Sequence, residues 1–403
     1  MKIILPTIGT RGDLQPYIAL ALGLQTAGHT PILATHPMMR SLVEAYGLEF
    51  SPIGPDIDIG YEAAVIRGHS RNWMAGFMRV MKFSFAMLEK SHPELLEICR
   101  QADLIVISHS AAGSMEADML GIPAVSVTLL PQAIPVQDPA QPLWKRTFGK
   151  IAGAGMGLVM TRPLNQIRER LGLGPMTETG ITSSSLNLIP LSPHVSKPDP
   201  RWETRHRMTG YWFAPSPQTW SPPEELVQFL EAGEPPLAIS LGAMAISGED
   251  AHQAASITLD AIKEAGVRAI IQGWDEPLKT LNLPQGTFCA GAIPHDWLLQ
   301  HCAGLIHHGG FGTTAAGFQA GIPCMAIPHI IDQFIWGQKI FELGVGPKPI
   351  ARTKLAVHPL AEALRQLTQD TGMRFAAAEL GRKIRNESGV KNAVDLILSS
   401  QTA

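Results

Sequence analysis

The stretch Leu305-Ile-His-His-Gly-Gly-Phe-Gly-Thr-Thr-Ala-Ala-Gly-Phe-Gln-Ala-Gly-Ile-Pro323, with Asp332-Gln333 beyond it, decides how this chain is read. An apolar strand runs into a glycine turn, a helix is expected to start at Thr313, and Gly321-Ile-Pro323 stops it. The amides of residues 310 to 314 would then converge on one spot, and converging N–H groups at a helix N-terminus bind phosphate. Gly309, Gly310 and Gly312 remove the side chains that would keep an anion away. Thr313 offers a hydroxyl, and His308 a hydrogen bond or a positive charge. The Gly-Lys-Ser/Thr ending of an NTPase loop is missing, which points away from that class and toward a diphosphate held by a helix terminus and a histidine. A plain strand-helix turn, with His307 and His308 as satisfied turn residues, fits the same spacing.

Outside this stretch, 403 residues exceed what one hydrophobic core supports, so two domains of near-equal size are expected. A hydrophobic fraction of 45% with 17% charged residues fills such cores and excludes a largely disordered chain. The net charge of -3 leaves no electrostatic footprint for nucleic acid. Cys99, Cys289, Cys302 and Cys324 have no metal-ligand spacing and read as reduced thiols of a cytoplasmic protein. Met1 to Pro6 reads as a core strand rather than a signal segment, and no run reaches the roughly 18 uninterrupted apolar residues of a membrane span. A soluble protein is expected, at most peripheral to a membrane.

Short apolar runs alternate with helical patterns in both halves: Ile3 to Leu5, Thr30 to Ala34, Leu104 to Ile107 and Ala124 to Val127, then Leu237 to Leu241, Ala269 to Ile271, Gly304 to Ile306 and Cys324 to Ile327. Continuous apolar strands between helices imply parallel sheets covered on both faces, so each half is expected to be a doubly wound α/β domain. Leu104 to Gly113 and Gly121-Ile-Pro123 echo Leu305 to Thr313 and Gly321-Ile-Pro323 at an offset of 200, as two halves of one fold would. Between them, Pro190 to Pro236 is dense in proline and reads as linker together with a strand and loop leading into the second domain. Ligands bind beyond the carboxyl ends of parallel strands, which places the expected site in the cleft between the domains.

The first strand ends in Pro6-Thr-Ile-Gly-Thr-Arg-Gly-Asp-Leu-Gln-Pro16, and a helix is expected from about Tyr17 to Ala27. Gly9 and Gly12 suit a tight turn, with Arg11 and Asp13 near the helix start. Asp13 is either a cap for orphan amides or a base for a bound hydroxyl. A dehydrogenase fingerprint is excluded, because the third glycine is absent and His36 stands where an acidic ribose ligand is required.

Together these motifs resemble the inverting, nucleotide-sugar-dependent glycosyltransferases of the GT-B fold, family 1, and within them the sterol glucosyltransferases and bacterial antibiotic-aglycone glycosyltransferases. The resemblance is carried by Gly9-Thr-Arg-Gly-Asp-Leu-Gln-Pro-Tyr17, Pro294-His-Asp-Trp-Leu298, His307-His-Gly-Gly-Phe-Gly-Thr-Thr314, Asp332-Gln-Phe-Ile-Trp336 and Gly344-Val-Gly-Pro347. It implies two Rossmann-like domains: an acceptor domain over 1–195, a proline-rich linker over 196–235, a nucleotide-sugar domain over 236–375, and a helix over 376–403 that packs back on the first. It implies Asp13 as general base, with Thr10, Arg11 and Gly12 at the donor. His308, Gly310, Phe311, Gly312 and Thr313 would hold the diphosphate, Ile293 and His295 the base and ribose, and Asp332 and Gln333 the sugar hydroxyls. No cofactor or metal is implied, only a UDP- or TDP-hexose as co-substrate.

Physical chemistry agrees with these roles. Charge grows on the diphosphate as the glycosidic bond breaks, so amides and a histidine aimed at it favour the transition state. The chain departs from the family at Ser240-Leu-Gly-Ala-Met244, where relatives carry Gly-Ser and this chain has Ala243. The methionine- and phenylalanine-rich stretches Trp73 to Leu88 and Met156 to Met160 suit either a pliable pocket for a sterol, terpenoid or polyketide or plain core packing. Lys145, Arg146 and Lys150 beside Trp144 and Phe148 fit either membrane contact or a solvated face. A sugar-nucleotide epimerase and a catalytically silent nucleotide-sugar-binding protein are the competing functions.

Overall fold

The computed structural model describes residues 1–68, 73–134, 161–176, 182–217, 220–241 and 249–401. In chain order it begins with β1 (Lys2–Pro6), α1 (Arg11–Thr26), β2 (Thr30–Thr35), α2 (Arg40–Glu44), β3 (Glu49–Pro52), α3 (Ile59–Gly68), α4 (Trp73–Cys99) and β4 (Leu104–Ile107). Next come α5 (Ser114–Leu120), β5 (Ala124–Val127), α6 with its described part at 161–170, β6 (Asn187–Ile189) and β7 (His206–Met208). The second half holds α7 (Glu224–Glu231), β8 (Leu237–Ser240), α8 (Glu249–Ala265), β9 (Ala269–Gln272), α9 (Asp275–Leu278), β10 (Thr287–Ala290), α10 (His295–Leu298) and β11 (Gly304–His307). It ends with α11 (Phe311–Ala320), β12 (Cys324–Ala326), α12 (Ile331–Glu342), α13 (Val357–Gln369), α14 (Thr371–Arg385) and α15 (Gly389–Ser400).

Each strand pairs in parallel with its neighbours, in a seven-stranded sheet of order β3-β2-β1-β4-β5-β6-β7 and a five-stranded sheet of order β10-β9-β8-β11-β12. Strand order reverses between β1 and β4 and again between β8 and β11, so each sheet has one switch point where a crevice opens beyond the strand ends. The segment after β8, with Ala243, lies outside the described residues, as do Met156 to Met160 and the basic residues around Trp144.

Alternate residues of a strand face opposite ways, which explains why the strands are apolar throughout. Ile3 and Leu5 pack with Leu14, Ile18 and Leu20 of α1 and with Val394 and Ile397 of α15. Ile4, Ile32 and Ile105 face Leu95 and Cys99 of α4 and Met115 of α5. In the second sheet Ile239 and Ile271 pack with Ala254 and Ile262 of α8 and Leu360 and Leu364 of α13. Each such buried aliphatic side chain contributes about 2 kcal/mol.

The chain divides into one unit of Met1–Ala214 with Ser388–Ala403 and a second of Pro215–Glu387. Two expected boundaries change as a result. The proline-dense stretch from 196 is not all linker, because β7 within it pairs with β6 as the edge of the first sheet. The expected single helix over 376–403 is two: α14 stays in the second unit, and α15 alone belongs to the first. In α15, Asn392 Nδ2 donates to the Thr209 carbonyl at 2.9 Å, and Val390 fills the space left open by Gly23 of α1.

Candidate active site

In the first unit the chemistry gathers at the switch point between β1 and β4. Helix α1 starts at Arg11, earlier than the expected Tyr17, because Thr10 and Asp13 form a capping box. Asp13 Oδ2 accepts from the Thr10 N–H at 2.7 Å and from the Thr10 hydroxyl at 2.9 Å. Pro16 therefore lies inside the helix and forfeits only one N–H bond. Gly12 is an exposed second helical residue rather than a turn glycine, and Arg11 beside it is also exposed.

Capping occupies only one oxygen of Asp13. Oδ1 stands 3.4 Å from Nε2 of His109, in the loop after β4, with the two side chains 36% and 23% exposed. Burial pushes the Asp13 carboxyl up, but the neighbouring His109 ring and the Thr10 donors outweigh it and hold the group below its ordinary range. It is ionised at neutral pH and in reach of a ligand. Behind His109, the fully buried Tyr17 accepts from the His109 N–H at 3.0 Å and lies 3.1 Å from its Nδ1, the rings stacked at 5.9 Å. Burial also raises the Tyr17 phenol, which stays protonated at neutral pH.

In the second unit the expected residues gather at the turn between β11 and α11. The helix starts at Phe311, two residues before the expected Thr313, with Gly310 extended at its cap. Thr314 N–H already bonds the Gly310 carbonyl at 3.0 Å, so the amides that precede the first intrahelical bond are those of Gly310 to Thr313, not the expected 310 to 314. The Gly309 N–H donates to His307 Nδ1 at 3.0 Å, which assigns the His307 proton to Nε2. His307 is fully buried; burial first, then the charges of His308 and His295, push it well below the usual histidine range, so it is neutral. The His308 ring instead folds over Gly310, where a Cβ would overlap Nε2. A histidine at a helix start, over bare backbone, is an anion-binding arrangement.

Helix α12 abuts the same turn. A Cβ on Gly309 would come within 2.7 Å of the Gln333 carbonyl, and Gly309 itself has φ 91°. Gln333 is 3% exposed, and its Oε1 accepts from the N–H groups of His329 at 2.8 Å and Ile330 at 3.3 Å. It is a cap whose side-chain oxygen is already engaged, which leaves only its NH₂ to offer a sugar. Asp332 opens the helix beside it, and the Phe311 ring meets Trp336 edge-on at 5.5 Å. Ile293 is buried just before α10, its carbonyl 3.5 Å from the Gln272 amide nitrogen, and His295 opens α10.

Each unit thus collects its own share of the expected residues. Thr10, Arg11, Gly12 and Asp13 share one switch point; His295, His308, Gly310, Phe311, Gly312, Thr313, Asp332 and Gln333 cluster about the other, with Ile293 beside them. Thr10 is committed to Asp13 rather than held out toward a donor. His109 and Tyr17 were not expected. A signal existed in the offset of 200: β4 (Leu104–Ile107) and β11 (Gly304–His307) hold the same place in their sheets, so the loop after Ile107 corresponds to the loop after His307. Among the described residues no group of three or more potential metal ligands comes together.

Residues 3–126 match the glycosyltransferase family 28 N-terminal domain, and residues 256–392 match the erythromycin biosynthesis protein CIII-like C-terminal domain. The chain is 31% identical to sterol 3-beta-glucosyltransferase UGT80B1 of Arabidopsis thaliana, covering 98% of this chain and 67% of that protein. It is 30% identical to the sterol 3-beta-glucosyltransferase of Komagataella phaffii, covering 98% of this chain but 34% of that longer protein. Among solved structures, the glycotransferase of kitacinnamycin superimposes with a TM-score of 0.75 at 18% identity, over 99% of this chain and 98% of that one. The glycosyltransferase VinC, in complex with DTDP, superimposes with a TM-score of 0.72 at 19% identity over 100% of both chains. With two parallel, doubly wound sheets of the GT-B fold and this identity to a sterol 3-beta-glucosyltransferase, the chain belongs to the glycosyltransferase family that includes those enzymes.

Proposed function

We propose that this protein is an inverting O-glycosyltransferase that moves a hexose from a UDP- or TDP-sugar to a hydroxyl of a lipophilic small molecule such as a sterol, terpenoid or polyketide. The observation that carries this is the Asp13 carboxylate, ionised, part-exposed and fixed at the first switch point. The acceptor oxygen attacks the anomeric carbon, its proton passes to Asp13, and the bond from that carbon to the diphosphate breaks. The departing charge is taken up by the amides of Gly310 to Thr313 and by His308. Asp332 and the Gln333 amide orient the sugar hydroxyls, and Ile293 and His295 hold the nucleoside. Arg11 and Gly12 flank the base. No metal or cofactor takes part. The sterol glucosyltransferases at about 30% identity support an apolar acceptor, and the DTDP complex of VinC supports a nucleoside diphosphate leaving group. No disulfide joins Cys99, Cys289, Cys302 or Cys324, in keeping with a cytoplasmic location, and among the described residues no helix is long and apolar enough to cross a membrane.

The test is product analysis with UDP- and TDP-glucose against a panel of sterols and polyketide aglycones, with and without a chelator. A β-glycoside is expected from at least one pair, unchanged by the chelator. Asp13→Asn should lower kcat by about 10²- to 10⁴-fold while UDP binding by calorimetry is unchanged. Nucleotide binding without transfer would leave a silent binding protein, and isomerised donor without acceptor would make it an epimerase.

A further inference from the structure

We propose that Tyr17 and His109 are positioning residues that fix the proton of the imidazole on Nε2 and so hold Asp13 in its basic, acceptor-facing state; this rests on Asp13 being the base. The chain of bonds leaves one consistent arrangement. A backbone N–H can only donate, so the His109 N–H at 3.0 Å makes the Tyr17 oxygen an acceptor. The Tyr17 O–H is fully buried, and its partner is His109 Nδ1 at 3.1 Å. Nδ1 is then the lone-pair nitrogen and Nε2 carries the hydrogen, on the side where Oδ1 of Asp13, a group that only accepts, stands 3.4 Å away. Both ends of the ring demand the same tautomer.

This order has a mechanistic consequence. The nitrogen facing Asp13 already bears its proton, and the other is covered by the Tyr17 hydroxyl. His109 therefore does not relay the proton that Asp13 receives. Asp13 keeps it until its exposed edge releases it to solvent. With Oδ2 taken by Thr10 and one direction of Oδ1 by His109, the remaining lone pair of Oδ1 is the one left for the acceptor hydroxyl. A second proton on His109 would have to displace the Tyr17 hydroxyl from Nδ1, and a full positive charge beside Asp13 would weaken it as a base. Within this unit, the titratable groups that act on Asp13 are His109, from the end of β4, and Tyr17, one helical turn on, while Arg11 beside it is exposed.

The experiment is ¹⁵N NMR of histidine-labelled protein, with His109→Gln used to assign the signal and Tyr17→Phe as the probe. The wild type should show a neutral Nε2–H imidazole for His109 at pH 7, and Tyr17→Phe a mixture of tautomers. In turnover, Tyr17→Phe should lower kcat by roughly tenfold and leave the donor KM unchanged. An Nδ1–H tautomer or an imidazolium in the wild type at pH 7 would overturn the proposal, as would a Tyr17→Phe protein unchanged in tautomer. The tautomer is read without substrate, so failure of the glycosyltransferase assignment would show as absent turnover with the NMR result intact.

Discussion

Gly309 combines three demands that no other residue type meets. Its φ of 91° lies in the left-handed region, the Gln333 carbonyl occupies the place of a Cβ, and its N–H is given to His307. Gly309→Ala should therefore push α12 away from the turn and weaken UDP binding by at least about tenfold, at a cost of 1 to 3 kcal/mol in backbone strain, which calorimetry with UDP checks. The glycines were visible in the sequence, and His308 was expected at the anion, but the contrast between the two histidine rings was not. That depends on strand alternation: His307 ends β11 facing inward and accepts from the turn, while His308 falls outside the strand and covers Gly310. Asp13 shows the same limit. Cap and base stood as alternatives on spacing, yet the carboxylate has two oxygens, and the structure uses one as a cap and leaves the other beside His109. The partnership with His109 depends on the order of strands and could not be counted along the chain.

At the scale of elements, the strands legible in the sequence are those with continuous buried apolar residues, the edge strand β12 among them, and those missed lack that run. β3 is Glu-Phe-Ser-Pro, β7 is His-Arg-Met, and both lie at the rims of the first sheet, where half-exposed positions carry no hydrophobic pattern. β10, the other edge of the second sheet, was missed for the same reason, and β6 is only three residues long with a buried Asn187. Helix starts were placed late at α1, where the Asp13 side chain reaches back to the Thr10 N–H, and at α11, where the glycine turn ends sooner than its spacing suggests. Helix α12 allows its cap to be separated from its contact with the sugar. Gln333→Glu keeps an oxygen for the His329 and Ile330 N–H groups and adds a charge that suits a helix N-terminus. It should leave the melting temperature within about 2 °C and UDP affinity unchanged, but remove the extra affinity of UDP-glucose over UDP. Gln333→Ala should lose that preference and also about 1 kcal/mol of stability, read by thermal unfolding.

The whole molecule is discontinuous in one respect: the first unit is Met1–Ala214 completed by Ser388–Ala403, with the second unit between. Ala393, Val394 and Ile397 of α15 are buried against α1, and losing them exposes several apolar side chains at about 2 kcal/mol each, comparable to the net stability of a domain. Deleting 388–403 should therefore abolish the calorimetric transition of the first unit while the second still unfolds cooperatively and is stabilised by UDP. Two undisturbed transitions would contradict this assignment of α15. The same arrangement sets an order of events during synthesis. As the chain emerges from the ribosome, the second unit has all of its residues once Glu387 is made, whereas the unit carrying Asp13 waits, with its sheet present but the groove along Gly23 uncovered, until α15 emerges. Strands of the first unit, made before the second, are thus among the last to reach their final packing, and a ribosome stalled before Gly389 would hold a folded second unit and an unfinished first one.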